Sequence, residues 1–296
     1  MNKKLSCEAY AKINLYLDVV GKRPNGYHDI ESIMQQISLC DIVTITRGET
    51  ENSTEITITC TDKNIPCDKR NIAHKCASAF FVKFGIEKYS ITIDIEKNIP
   101  AAAGLAGGST DGAAVLLLLN ELYNINATLE ELCKLGASVG ADIPFCLIGG
   151  TCVVRGIGEI LEPIILPPPS YSILLVFPGD GVSTVEAYSR IDTVEGIFPS
   201  HSLESVITPL LNAKIPLELY NAFEHVILPT HKMAAHVHKT LYENGASAVL
   251  MSGSGPSIFG LFTNNDVCRQ AYEILSNQHG ISVYICNPIA KKQNNV

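Results

Sequence analysis

The chain has no apolar run long enough to cross a bilayer. The longest, Ala113 to Leu119, falls far short of the roughly 18 residues such a helix needs, so no membrane-spanning segment is expected. It also has no excess of positive charge: 22 Lys plus Arg stand against 30 Asp plus Glu, a formal net charge of −8. That balance argues against a nucleic-acid binder, whose affinity comes from neutralising many phosphates, but is compatible with a small anionic ligand. Two lysines near the start are not followed by an apolar segment, because Glu8 and Lys12 interrupt it, and a cytoplasmic protein is expected. No C-x-x-C pair occurs among the ten cysteines. Most have apolar neighbours, as Cys76 does, so buried reduced thiols are expected. His231, His236 and His238 do not share one helical face, which disfavours a zinc site. What is present, 296 residues of which 46% are apolar, suits one large or two ordinary globular domains.

Alternation and β-branched density predict strands near 5–20, 41–47, 55–60, 89–96, 151–155, 172–177, 247–251, 257–262 and 281–286. Helices are predicted over 71–84, 109–123, 128–138, 184–191, 201–212, 219–228, 230–243 and 265–277. An early run of strands followed by a mixed second half indicates an α+β protein. Pro167-Pro168-Pro169 forms a stiff connector, which places a domain boundary between 1–164 and 165–296. The polar tail Lys291 to Val296 is the one low-complexity segment.

The strongest chemical signal is the stretch Lys97 to Asp111, a glycine loop between the strand Ile91–Ile95 and an apolar helix. Glycines let backbone amides approach a ligand, and a helix's first N–H groups favour an anion such as phosphate. No Lys follows the glycines, so this is not a Walker A loop, nor is it G-x-G-x-x-G with a βαβ unit. The plainer reading is a helix capped by Ser109 or Thr110. A second cluster, Ser252-Gly253-Ser254-Gly255, reads by itself as a tight hairpin turn. No serine stands in a G-x-S-x-G elbow, so serine-hydrolase chemistry lacks its signature.

Period-two spacing puts Tyr10, Lys12, Asn14 and Tyr16 on one strand face and apolar residues on the other. Asp142 is enclosed by small and apolar residues in Gly140-Ala141-Asp142-Ile143-Pro144-Phe145, either as a functional acid or as a turn aspartate. The turn Gly21 to Asp29 gathers Tyr27, His28 and two bases, a composition suited to stacking a flat ring or to a solvated surface.

Together, Ala11-Lys12-Ile13-Asn14-Leu15, Gly26-Tyr27-His28, Ile99-Pro100 through Ser109-Thr110-Asp111, Gly140 to Phe145, Gly156-Ile157-Gly158-Glu159 and Ser252 to Ser257 resemble, in order, the GHMP kinase superfamily. Within it, Gly26-Tyr27-His28 and Gly140 to Phe145 are similar to the branch acting on a cytidine diphosphate ester of methylerythritol in isoprenoid biosynthesis. The resemblance implies a two-domain α+β fold, with a ribosomal protein S5 domain 2-like N-terminal domain, a ferredoxin-like C-terminal domain and a site in the cleft between them. It also implies ATP and Mg2+ as cofactors and a small-molecule partner, and it leaves the oligomeric state open. By position, Asp142 corresponds to the base that deprotonates the substrate hydroxyl and Lys12 to its cationic partner. Ala103, Gly104, Leu105, Ala106, Gly107, Gly108, Ser109 and Thr110 correspond to the triphosphate cradle, with Asn71, Lys97 and Pro100 near the nucleoside. Asn14, Tyr27, His28, Asp142, Thr184 and Tyr188 correspond to the substrate side, the two tyrosines flanking the cytosine ring. No metal ligand is assigned. Ala102 and Ala106 stand where the family commonly has Gly, and Thr110 where Ser is common. Another small-molecule GHMP kinase, for mevalonate, homoserine or a sugar, and a nucleotide-binding regulator without turnover are the alternatives.

Overall fold

A computed structural model describes residues 3–48, 53–194 and 202–290. His201, the start of one expected helix, and the tail Lys291 to Val296 lie outside the described residues. The chain forms two compact units: Met1–Ala11, Leu39–Ala101 and Ala106–Ile148 make the first; Lys12–Ser38, Ala102–Leu105 and Gly149–Val296 make the second.

The first unit takes the opening of β1 (Lys4–Lys22) and the far half of β2 (His28–Arg47). It continues with β3 (Thr54–Cys60), α1 (Ile72–Lys83), β4 (Tyr89–Glu96), α2 (Gly107–Leu122), α3 (Leu129–Ala137) and α4 (Ile143–Ile148). β4 pairs in parallel with β3, Ile91 opposite Ile56, and antiparallel with β2, Ile93 opposite Ile45. Every second residue of β4 (Ile91, Ile93, Ile95) is buried, along with Val43, Ile45 and Ile58, as a half-buried sheet requires. Each helix start has a local cause. The Asn71 side chain accepts from Ala73 N–H and caps α1, while Thr128 and Glu131 form a reciprocal capping box on α3. The helices α1 and α2 meet where Gly112 leaves room for Cys76.

The second unit continues with β5 (Thr151–Gly156), β6 (Ile160–Ile164), β7 (Ser172–Phe177), α5 (Thr184–Ile191), α6 (Leu203–Leu211), β8 (Tyr220–Asn221) and α7 (Glu224–Ile227). It ends with α8 (Lys232–Glu243), β9 (Ala248–Met251), β10 (Ile258–Phe262), α9 (Asn265–Ser276) and β11 (Ser282–Cys286). β5 pairs antiparallel with residues 30–35 of β2 and with β6. A separate four-stranded antiparallel sheet has the order β11-β7-β10-β9. Its helices α8 and α9 pack on it, giving the ferredoxin-like arrangement.

Two expectations need correction, and two short elements were not foreseen. The helix expected over 219–228 is a two-residue strand, β8, followed by the short α7. Tyr220 and Asn221 pair in parallel with Tyr16 and Leu17, and Asn221 spends its side chain on neighbouring backbone instead of a helix. The strand expected only at 41–47 begins at His28, because its polar residues Ser32, Gln35 and Gln36 are buried and break the apolar alternation. β6 and α4 are too short for periodicity to show them. Of the ten cysteines, Cys76, Cys146, Cys152, Cys268 and Cys286 are buried, and Cys67 is exposed.

Candidate active site

The glycine loop is shaped by left-handed backbone at alternating positions: Ala102 has φ +51°, Gly104 +76° and Ala106 +57°. The family-atypical alanines are thus held in a conformation that costs an L-residue about 1–2 kcal/mol. Ala103 and Leu105 are buried and anchor the loop from within. At Gly104 no other residue fits, since a Cβ would lie 2.1 Å from the Ser252 carbonyl oxygen. Ala106 precedes α2 and makes no side-chain cap, and the first helical bond runs from Thr110 N–H to the Ala106 carbonyl at 2.9 Å. The N–H groups of Gly107, Gly108 and Ser109 therefore sit at the open, positive end of a 16-residue helix. Thr110 is buried and Ser109 half-buried. The serine or threonine cap of the plainer reading is absent, the N-cap being Ala106 with no side-chain hydrogen bond.

Within the first unit this helix start is braced by a buried ion triple. Lys97 Nζ lies 2.5 Å from Asp41 Oδ2 and 3.0 Å from Asp111 Oδ2, all three side chains being 5% exposed or less. Asp41 Oδ1 also accepts from Asn98 N–H at 2.6 Å and Ile99 N–H at 2.8 Å, fixing the chain that leads into the loop. Burial pushes the Asp111 carboxyl well up, Lys97 opposing and Asp41 adding to the effect. Burial works against the Lys97 ammonium, but Asp111 and Asp41 outweigh it and the net shift is upward. Asn71 is also engaged, its Nδ2 donating to the Pro66 carbonyl at 2.8 Å. Pro100 is half-buried at the loop's entrance. Asp142 is half-buried just ahead of α4, its carbonyl accepting from Cys146 N–H at 3.1 Å.

Within the second unit Lys12 is buried at 4% exposure, and its Nζ donates to Asn14 Oδ1 at 2.7 Å. Asn14 Nδ2 in turn donates to Ser32 Oγ at 2.8 Å, which orients the amide. The Lys12 backbone N–H holds the Leu105 carbonyl at 3.1 Å. The hairpin Ser252 to Ser257 closes over the same place: Ser252 Oγ donates to the Gly104 carbonyl at 3.0 Å. A Cβ at Gly253 would lie 3.2 Å from Lys12 Nζ. The second glycine cluster is therefore a tight turn, and it also packs against the glycine loop and the cation.

Asn221 fixes that turn. Its Nδ2 donates to the carbonyls of Met251 at 2.7 Å and Gly253 at 2.8 Å, and its Oδ1 accepts from Phe223 N–H at 2.9 Å. Glu224 Oε1 accepts from Met251 N–H at 2.8 Å and lies 3.5 Å from His238 Nε2. On the aromatic side, Tyr188 stacks on His28, ring centres 4.7 Å apart, and Phe223 meets Tyr188 edge-on at 4.9 Å. Tyr27 is 60% exposed. Thr184 Oγ1 is 3.1 Å from Ser254 Oγ. Lys12, Asn14, Tyr27, His28, Thr184 and Tyr188 thus share one unit, and Asn71, Lys97, Pro100, Asp142 and the start of α2 share the other.

Sequence reasoning missed Asp41, Asp111, Asn221 and Glu224. Asp111 was visible as the acid closing Ser109-Thr110-Asp111, and Asn221 and Glu224 as polar residues in an apolar stretch. Asp41 carried no local signal.

Family models for the GHMP kinases N terminal domain and the GHMP kinases C terminal match residues 71–150 and 213–281. The chain is 40% identical over 290 residues to a 4-diphosphocytidyl-2-C-methyl-D-erythritol kinase of Clostridium perfringens, covering 96% of this chain and 98% of that one. It is also 40% identical over 274 residues to the enzyme of that name from Caldicellulosiruptor bescii, covering 92% and 94%. A crystal structure of 4-(cytidine 5'-diphospho)-2C-methyl-D-erythritol kinase superposes with a TM-score of 0.78 at 30% identity, covering 96% of this chain and 99% of that one. Homoserine kinase from Cytophaga hutchinsonii shares the fold, with a TM-score of 0.69 at 19% identity.

Proposed function

The chain belongs to the GHMP kinases, and from that premise we propose that it transfers the γ-phosphoryl group of ATP to the 2-hydroxyl of 4-diphosphocytidyl-2-C-methyl-D-erythritol. The observation that carries the reading is the near-full-length identity with kinases of that name, 40% over 96% of the chain. The geometry supports it at three points: an uncapped helix start behind a strained glycine loop, a buried lysine braced by Asn14, and an exposed tyrosine beside a stacked His28.

Phosphoryl transfer asks a protein for positioning and electrostatics more than covalent chemistry. In this proposal Asp142 accepts the proton of the substrate hydroxyl as its oxygen attacks phosphorus. Lys12, its ammonium oriented by Asn14, steadies the negative charge that develops. The backbone of Ala103 to Thr110 holds the triphosphate, and Asn71, Lys97 and Pro100 border the nucleoside. Lys97 spends two of its three donors on Asp41 and Asp111, so one is left for a ligand. Asn14, Tyr27, His28, Thr184 and Tyr188 hold the cytidylated alcohol.

Mg2+ is proposed as the companion of ATP. The ion is taken to be held mainly by the phosphates of ATP and by water. When bound, the ion neutralises phosphate charge. The division at 164/165 is proposed as the boundary between sequence domains, since the two family models fall on either side of it. A cytoplasmic location and independence from nucleic acid accord with the net charge of −8 and with the absence, among the described residues, of a helix able to cross a membrane.

ADP release with Mg-ATP, measured against the cytidylated alcohol, mevalonate, homoserine and galactose, tests the reading. Turnover with the first alone is expected. Turnover with another alcohol would replace the substrate, and ATP binding with no turnover would favour a regulator.

A further inference from the structure

Helix α5 grips the imidazole of His28 at two points. Tyr188 stacks on the ring at an interplanar angle of 22°. One helical turn on, Asp192 Oδ1 lies 2.7 Å from His28 Nε2. The two grips are in register because the Asp192 N–H bonds the Tyr188 carbonyl at 3.1 Å, which puts both side chains on one face. Lys22 Nζ donates to the other oxygen, Asp192 Oδ2, at 2.6 Å. The hydrogen bonds from Lys22 and His28 hold the Asp192 carboxyl below the usual carboxylate range, so it accepts from both. The His28 side chain is only 8% exposed. Its Nδ1 makes no hydrogen bond among the described residues.

We propose that Asp192 is a specificity-determining positioning residue, which fixes His28 as the tautomer protonated on Nε2 and thereby offers the lone pair of Nδ1 to the pyrimidine. The inference rests on the proposed function, in which His28 belongs to the substrate side, and takes the ring to read the edge of the cytosine that Tyr27 and Tyr188 flank. In a neutral imidazole one nitrogen donates and the other accepts, and the partner of one decides the role of the other. A carboxylate can only accept, so the proton sits on Nε2 and Nδ1 becomes an acceptor. Cytosine and uracil differ at position 4, where cytosine carries an amino donor and uracil a carbonyl acceptor. An acceptor at Nδ1 matches the amino group and opposes the carbonyl. Asp192 does not itself touch the base; it acts through the ring.

The test uses the full chain and two esters, the cytidine diphosphate ester and its uridine counterpart, with kcat and KM measured for wild type, Asp192→Asn and Asp192→Ala. Asparagine can turn its N–H toward Nε2, which moves the ring proton to Nδ1 and converts the acceptor to a donor. The expected result for Asp192→Asn is a KM for the cytidine ester raised by about tenfold with kcat changed by less than about twofold, and a KM for the uridine ester that falls. Asp192→Ala, which leaves both tautomers open, is expected between the two. The 15N spectrum of the His28 ring reads the tautomer directly and without turnover: wild type is expected protonated on Nε2 and Asp192→Asn on Nδ1. A preference between the esters that is the same in all three proteins overturns the proposal. So does a fall in kcat for both esters with KM unmoved, which marks a purely structural role, and so does a wild-type ring protonated on Nδ1. Failure of the wild type to turn over the cytidine ester would instead remove the functional reading, and the 15N result would still decide the tautomer.

Discussion

At the scale of residues, the account turns on a few side chains whose surroundings set their chemistry. Asp142→Asn keeps size and polarity but cannot take a proton, so turnover should fall by about 10²–10⁴-fold. ATP affinity measured by calorimetry should stay unchanged; near-normal turnover would remove Asp142 from the base's role. Glu224 gives a pH prediction. Burial pushes its carboxyl from 4.5 up to about 7, against the pull of the Met251 N–H. The folded chain therefore holds this proton to a higher pH than the unfolded chain does. Its contribution is full below about pH 4.5 and is lost as pH rises to about 7, a change on the order of 3 kcal/mol. Glu224→Gln retains an acceptor for Met251 N–H and should remove that part of the slope in urea unfolding run across this range. His238, pulled down by burial, contributes in the opposite sense, and because its Nε2 lies 3.5 Å from Glu224 Oε1 the comparison is made with His238→Gln in both backgrounds. Lys12 and Asp142 stood out in the sequence because a charged residue in an apolar setting is conspicuous, and Asn14 because period-two spacing puts it on the Lys12 face. Asp192 and Asp41 did not, since their meaning lies in partners at His28 and Lys97, far off in the chain.

At the scale of elements, α2 follows directly on the glycine loop in the chain, and its middle packs on α1 through Gly112. A Cβ there would lie 2.8 Å from Cys76 Sγ and 3.0 Å from Ile72 Cγ2. Gly112→Ala should therefore destabilise by about 1–3 kcal/mol, since overpacking outweighs the gain in helix propensity. Combining it with Cys76→Ala should recover part of the loss in denaturant titration; additive losses would contradict the steric explanation. Long periodic elements such as α9 and β4 were readable because each buries one regular face. β8 was not, because two residues carry no period and their strand character comes from β1.

At the scale of the whole molecule, the compact units interleave along the chain. Residues 12–38 belong with 149–296, so β1 supplies the partner of β8 and β2 the partner of β5. The fragment 165–296 made alone lacks those partners and should show incomplete amide protection, restored by co-expression with 1–164. Full protection in the isolated fragment would contradict this membership. Linear composition revealed the proline connector but not the interleaving, because pairing between distant strands leaves no mark in either segment's sequence. The central claim is that this chain joins ATP chemistry to a cytidylated alcohol, and 31P NMR of a reaction containing Mg-ATP and 4-diphosphocytidyl-2-C-methyl-D-erythritol addresses it most directly. The account predicts ADP and a new phosphomonoester in equal amounts, with the diphosphate of the ester intact. ADP accompanied by inorganic phosphate, or no change at all, would contradict it.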